Sequence, residues 1–529
     1  MNGRILIRGG EVHDGSGRAA QRADVLVEGD RIAAIGAFAP SPDTEILDAE
    51  GLVVAPGFID VHSHSDYTLL VDPRAVSAIH QGVTLEIVGN CGHGCAPRAD
   101  AALAPLAIYG PAAMHGMPPG SMAGYLARLE AARPAVNVAT LAANGQMRLS
   151  AVGLAGRPAS PGERASMSAM LRTALEEGAC GLSTGLEYAQ ELGASEDEVT
   201  ELAAIAGRAG GIYATHVRNR DEAALPAIEE AIRTAERAQV PLQISHLTPR
   251  SGMDTIDRCI DASLAARRRG NPVHFDMHTR LFGFTHLKNI APAALLEGSP
   301  AQIRARLAEP ATRRQLRAHR NIVTRVGFDR VVLASSATRP QLVGLTFVEI
   351  GARLGTDPHE AAIDILAADA DDLLFPMVIL RTYTEEQLRR TYLAEDCLIG
   401  SDATALAPDG PLAGEIFHGA YTWAAWFWRR MVRETRSFTR AEAIRRLSGL
   451  PADVFALSER GRIAPRMKAD IAIFDPDGFG ERGTVDSPNL LATGMRHVLV
   501  NGVATLRDGA STGARAGEVL RGRAAGLRR

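Results

Sequence analysis

Two histidines spaced two apart, His62 and His64, stand in the run Phe58-Ile59-Asp60-Val61-His62-Ser63-His64. On an extended strand alternate side chains share a face, so this pair can present two imidazoles to one cation. Alone, the same pair is equally consistent with two surface histidines. Three further residues of ligand type end short apolar runs elsewhere in the chain: His216, His246 and Asp402. Cys91 follows another such run, in Val88-Gly89-Asn90-Cys91-Gly92-His93-Gly94-Cys95. Its thiolate could bind or bridge zinc-type ions; the other reading is a small hydrophobe beside a glycine turn. The Cys91–Cys95 spacing lacks the second cysteine pair that a zinc knuckle needs, and Cys180, Cys259 and Cys397 lie isolated in apolar runs. No Ser–His–Asp arrangement, GxSxG elbow or P-loop spacing competes with a metal centre.

These groups can meet only if the elements carrying them converge. Short apolar runs suited to strands buried on both faces occur at 58–62, 85–90, 136–141, 179–183, 212–216, 242–246, 273–276 and 398–402. The clearest βαβ unit spans 211–246, where Leu225, Ile228, Ile232 and Ala235 mark the inner face of a helix. Eight such strands with intervening helices predict an α/β fold, a (β/α)8 TIM-like barrel, whose strand C-termini gather on one face. Four histidines and one aspartate arriving on that face read as a metal site.

The gap from Asp276 to Leu398 is too long for one crossover and predicts an insertion with a strand near 330–334. Short β runs near both termini predict one small β domain built from both chain ends. The expected boundaries are 1–55 plus 456–515 for that domain and 56–455 for the barrel. An insertion or lid is expected at about 280–396, and a tail at 516–529, whose Gly-, Ala- and Arg-rich composition from 510 onward reads as frayed. The AYTWAAWFWRR segment predicts a helix whose Trp423, Trp426 and Trp428 pack in the core or at a homo-oligomer contact.

Composition narrows the partners. The 529 residues are 46% hydrophobic and 22% charged with a formal charge of −4, which argues for a globular protein without a nucleic-acid or acidic-membrane partner. No run is apolar enough for a transmembrane helix or a signal peptide, and five cysteines do not make a disulfide framework. The expectation is a cytoplasmic protein acting on a small molecule. Lys288 and Lys468 are the only lysines.

GFIDVHSHSD, EIVGNCG, GLSTGLEY, YATHVR, QISHL, IGSDA and GRIAPRMKADIAIFD, in this order, resemble the amidohydrolase superfamily, and GNCG narrows the resemblance to the N-acyl-D-amino-acid deacylase (D-aminoacylase) family. The resemblance runs from about Gly51 to Asp508 and is weakest between Thr279 and Asp396. It implies that the small β domain is a β-sandwich and that the protein is a hydrolase with one or two Zn²⁺. It further implies that His62 and His64 hold one metal position, and that Cys91, His216 and His246 hold the other, with Cys91 able to bridge. Many relatives bridge with a carboxylated lysine, but neither lysine here is suitably placed. The implied reaction is attack of a zinc-activated hydroxide on an amide carbonyl, with Asp402 as general base and then general acid.

Substrate contacts are expected from Tyr188, whose family counterpart lines the site, and from Arg218, which alternation aims with His216 if that strand continues. Arg280 and Arg381 are further candidate anchors for a carboxylate. The chain departs from the family in three places. Thr248 stands in Ser245-His246-Leu247-Thr248 where relatives have lysine, and His278 stands in Asp276-Met277-His278 where relatives have tyrosine. Ala143-Asn144 replaces a Gly-His pair. These changes suggest a rebuilt carboxylate pocket. The leading substrate is an N-acyl-D-amino acid or analogue. The alternatives are a cyclic amide, ureide, aryl amide or carbamate, or a barrel retained as a non-catalytic scaffold.

Overall fold

Aliphatic runs with buried residues on both faces form the central strands of the computed structural model, which describes residues 3–98, 120–373, 375–485 and 487–526. The chain divides into two compact units, Met1–Thr279 with Arg389–Arg529, and Arg280–Leu388.

In the first unit, Phe58–Asp60, Val83–Val88 and Asn137–Thr140 pair in parallel. A second parallel sheet runs in the order Ala142–Ala143, Gly181–Gly185, Ile212–His216, Leu242–Ile244, Val273–Met277 and Cys397–Ile399. A parallel bridge from Ser63 to Ala403 links the segments after the first and last of these strands. Each predicted strand is present within a few residues of its expected place, because an uninterrupted apolar run cannot be left half-solvated. Ile59, Leu85, Ile87, Ala139, Ala214 and Leu398 share one core cluster. The helix predicted within 211–246 forms at Ala224–Ala238 and buries Ala227, Ile228, Ala231, Ile232 and Ala235. Ser160 and Ser195 cap the helices Pro161–Glu177 and Glu196–Arg208 through their side-chain oxygens.

Both chain ends meet in one nine-stranded sheet. Val53–Pro56 pairs in parallel with Arg4–Val12 and antiparallel with Ile471–Phe474, so amino- and carboxyl-terminal strands are direct neighbours. Ile5, Ile7, Val25, Val27, Ile471, Ile473 and Leu499 build its core. Trp423 and Trp428 are buried, on and just after the helix His418–Phe427, and the Trp428 indole donates to the Pro476 carbonyl at 2.9 Å.

The described part of the carboxyl-terminal segment is docked rather than frayed. Val138 N donates to Glu518 O at 2.9 Å, Leu520 N donates to Val138 O at 2.7 Å, and Glu518 receives Lys468 and Arg460. Gly517 permits this approach, since a Cβ there would lie 1.9 Å from the Val136 carbonyl.

The second unit has its own three-stranded antiparallel sheet, Phe282–His286, Met377–Arg381 and Val331–Ser335. Its core is Leu287, Ile303, Leu307, Leu333, Phe347, Ile363 and Leu366, supplied largely by flanking helices.

Candidate metal centre

The strand Phe58–Asp60 stops short of His62, yet the HxH segment is fixed by its neighbours. Ser63 N donates to Ile87 O at 3.0 Å, His64 N to Ala403 O at 2.7 Å, and Asp402 N to His62 O at 2.8 Å. Asp60 reinforces the corner by accepting His62 N at 3.1 Å and Ser401 N at 2.9 Å. Cys91, His246 and Asp402 each adopt left-handed backbone with φ of 54°, 37° and 44°. For non-glycine residues this conformation costs about 1–3 kcal/mol each, and it recurs where side chains must be aimed.

Three overlapping ligand sets result, each with its donor atoms within 4.8 Å of one another: His62, His64 and Cys91; Cys91, His216 and His246; and His62, His246 and Asp402. His62 Nε2 lies 3.2 Å from Cys91 Sγ and 3.6 Å from Asp402 Oδ1. Cys91 Sγ lies 3.7 Å from His246 Nε2, and His64 Nε2 lies 3.3 Å from Asp402 Oδ1. All five histidine and cysteine side chains are buried.

The donor chemistry fits a divalent ion that takes nitrogen and sulfur ligands. His216 Nδ1 is buried without a hydrogen-bond partner, while its Nε2 pairs with Glu187 Oε2 at 2.9 Å. That is the tautomer a metal-ligating imidazole needs. Burial pushes His216 down to about 4, with Glu187 opposing, and pushes His246 well down, with Arg220 adding to it, so both rings stay neutral donors. Burial lifts the Cys91 thiol above its ordinary range while His62 pulls it the other way; a cation beside the sulfur is what favours the thiolate.

Two supporting carboxylates were not among the residues singled out by sequence. Asp276 faces His62 Nδ1 at 3.1 Å and accepts Gln243 Nε2 at 2.5 Å and His246 N at 2.8 Å. It lies near the end of a strand as Asp402 lies just past one, which was its only sequence signal. Glu187 directly precedes Tyr188 in the same turn, but nothing in the sequence indicates which histidine it meets.

The expected substrate residues separate. The Tyr188 ring packs 4.7 Å from that of His216 and 4.6 Å from that of His93, centroid to centroid. His278 Nε2 lies 3.9 Å from Asp402 Oδ2. The Thr248 hydroxyl pairs with that of Thr391 at 2.8 Å in a buried contact. For Arg218 the condition of a continuing strand is not met: the strand ends at His216, so alternation does not extend to it. Its guanidinium instead binds both Glu230 oxygens at 2.8–3.2 Å and the carbonyls of Leu192 and Ala194. Arg280 opens the second unit, and Arg381 ends that unit's strand Met377–Arg381 with an exposed side chain.

Parallel strands whose ends deliver histidines, a cysteine and an aspartate to one buried point define a class of metallohydrolase scaffold. A sequence profile of the amidohydrolase family matches residues 45–505, and the chain belongs to that family. It is 33% identical to N-acyl-D-glutamate deacylase of Alcaligenes xylosoxydans xylosoxydans, covering 98% of this chain and 96% of that one. A crystal structure of D-aminoacylase superposes with a TM-score of 0.80 at 29% identity, covering 98% of this chain and 99% of that one. N-acyl-D-glutamate deacylase from Bordetella bronchiseptica, in complex with zinc and a phosphonate mimic of the tetrahedral intermediate, superposes with a TM-score of 0.79 at 30% identity. That match covers 98% of this chain and 100% of that one.

Proposed function

We propose that this protein is a metal-dependent deacylase that hydrolyses the amide C–N bond of an N-acyl-D-amino acid or a close analogue. The observation that carries the reading is the convergence of His62, His64, Cys91, His216, His246 and Asp402 in overlapping sets, each with donor atoms within 4.8 Å of one another. The relatives named above act on N-acyl-D-amino acids, and one of them binds zinc.

In this reading the parallel strands form a (β/α)8 barrel over 56–455. The chain ends, 1–55 and 456–515, form a β-sandwich, and about 280–396 is an insertion. The parallel pairings and the Ser63–Ala403 bridge support a closed barrel.

His62 and His64 would hold one zinc position and Cys91, His216 and His246 the other. Zinc bound there supplies an activated water and polarises the scissile carbonyl. The remaining work falls to the side chains. Asp402 Oδ1 faces His62 and His64 while Oδ2 faces His278, so the carboxylate sits between the ligand cluster and a second imidazole. Asp402 takes the proton of the attacking water and returns it to the departing nitrogen, which leaves poorly as an anion. Tyr188 and His278 border the substrate, and Asp276 keeps His62 in register.

The test is a panel of N-acyl-D-amino acids, their L-enantiomers and neutral amides, assayed with chelated protein before and after zinc is restored. Zinc-dependent turnover of D-substrates is expected. Zinc-loaded protein that hydrolyses none of them, or turnover that chelation leaves untouched, overturns the proposal.

A further inference from the structure

His216 closes the strand Ile212–His216 while Cys91 and His246 lie just past their strands, and one arginine ties the segments just past the two histidines to the loop after Gly181–Gly185. Glu187 lies just past that strand, Asp221 lies five residues past His216, and Arg250 lies four residues past His246. The Arg250 guanidinium binds Glu187 Oε1 and, through Nε at 3.0 Å, Asp221 Oδ1. The other Glu187 oxygen receives His216 Nε2 at 2.9 Å. All of these side chains are buried or nearly so, at 11% exposure or less. The neighbouring Arg220 donates to the carbonyls of His246 and Thr248 at 2.6 and 3.1 Å, fastening the same loop from the other side.

We infer that Glu187, clamped by Arg250, is a positioning residue that presets His216 for metal. It holds the proton on Nε2, leaves Nδ1 as the donor and fixes the ring plane. The inference rests on the metal reading above. A carboxylate held only by the imidazole could rotate away. Arg250 removes that freedom by occupying the opposite oxygen, and Asp221 in turn fixes the arginine. The ion pair thus serves the ligand geometry through burial and bidentate charge rather than through contact with the cation.

Cobalt(II) titration of the chelated full-length protein reads this directly, because the thiolate-to-cobalt charge-transfer band reports the position that includes Cys91. E187Q is expected to weaken cobalt binding at that band by about 10–100-fold, the range typical when an outer partner of a ligating histidine is lost. R250M is expected to lose less, since the His216–Glu187 bond survives. R218M breaks the comparable Arg218–Glu230 pair, which lies two residues past His216 but touches no ligand side chain; it controls for local loosening and should leave cobalt affinity unchanged. Thermal unfolding of the chelated variants checks folding. Wild-type affinity in folded E187Q, or an equal loss in R218M, overturns the inference. A wild-type protein that gives no thiolate band at all overturns the metal reading instead, so the two failures are distinguishable.

Discussion

The ligand-type residues and the arginines start from the same kind of sequence evidence, a polar side chain at or just past the end of an apolar run, and reach different ends. His62, His64, Cys91, His216, His246 and Asp402 converge in three overlapping ligand sets. Arg218, two residues past His216, turns to Glu230 on the helix Ala224–Ala238 and to two carbonyls. The difference is one of tether. A short side chain at or near a strand end has its direction set by the sheet and by backbone hydrogen bonds such as Asp402 N to His62 O. A guanidinium on a long flexible stem beyond the strand is free to find the best carboxylate within reach.

The largest effect that could break this contrast is at Asp402. Asp402→Asn keeps the shape and removes the proton acceptor, and kcat is expected to fall by about 10²–10⁴-fold with bound zinc retained. Full turnover in a zinc-loaded variant would remove Asp402 from the chemistry and leave it a structural strand end.

A second measurement compares the two ends of the strand Val273–Met277. At one end Asp276 is fully engaged by His62, Gln243 and His246. At the other, His274 Nδ1 is buried without a partner, and burial, aided by Arg267, lowers the ring from 6.5 to about 4. The unfolded chain therefore binds a proton before the folded one does. His274 contributes no pH dependence above pH 6.5, and stability is lost as pH falls from about 6.5 to about 4, by roughly 2–3 kcal/mol. His274→Gln should flatten that part of the stability–pH curve in chemical unfolding. An unchanged slope would show that the ring is already solvated.

The smallest expected effect concerns Arg218. R218M should lower stability by about 1–2 kcal/mol, the scale of losing a partly buried charge-assisted bond. It should leave KM equal for acidic and neutral substrates. A KM increase confined to acidic substrates would return Arg218 to the substrate pocket and erase the contrast.

The ligand-type residues were legible because their signal is local: His62 and His64 alternate on an extended segment, and the others close or trail apolar runs that can only be buried strands. Asp276 and Glu187 were not, although both sit inside segments already singled out. Their roles depend on partners 214 and 29 residues away, and sequence spacing carries no record of which imidazole a carboxylate meets. The carboxyl-terminal segment misled for the opposite reason. Its Gly, Ala and Arg content suits a frayed end, yet the same glycines let the backbone lie against Val136 and Ala179.

By itself, the sequence determined the alternation of buried strands with amphipathic helices, the ligand types and the absence of a usable bridging lysine, because burial and valence are properties of residues and short runs. Only the tertiary structure decided which carboxylate meets which histidine, that Arg218 pairs with Glu230, and which strands from the two chain ends are direct neighbours in their shared sheet. Those choices are made by through-space competition among many chemically equivalent partners, and distance in the folded chain is what settles it.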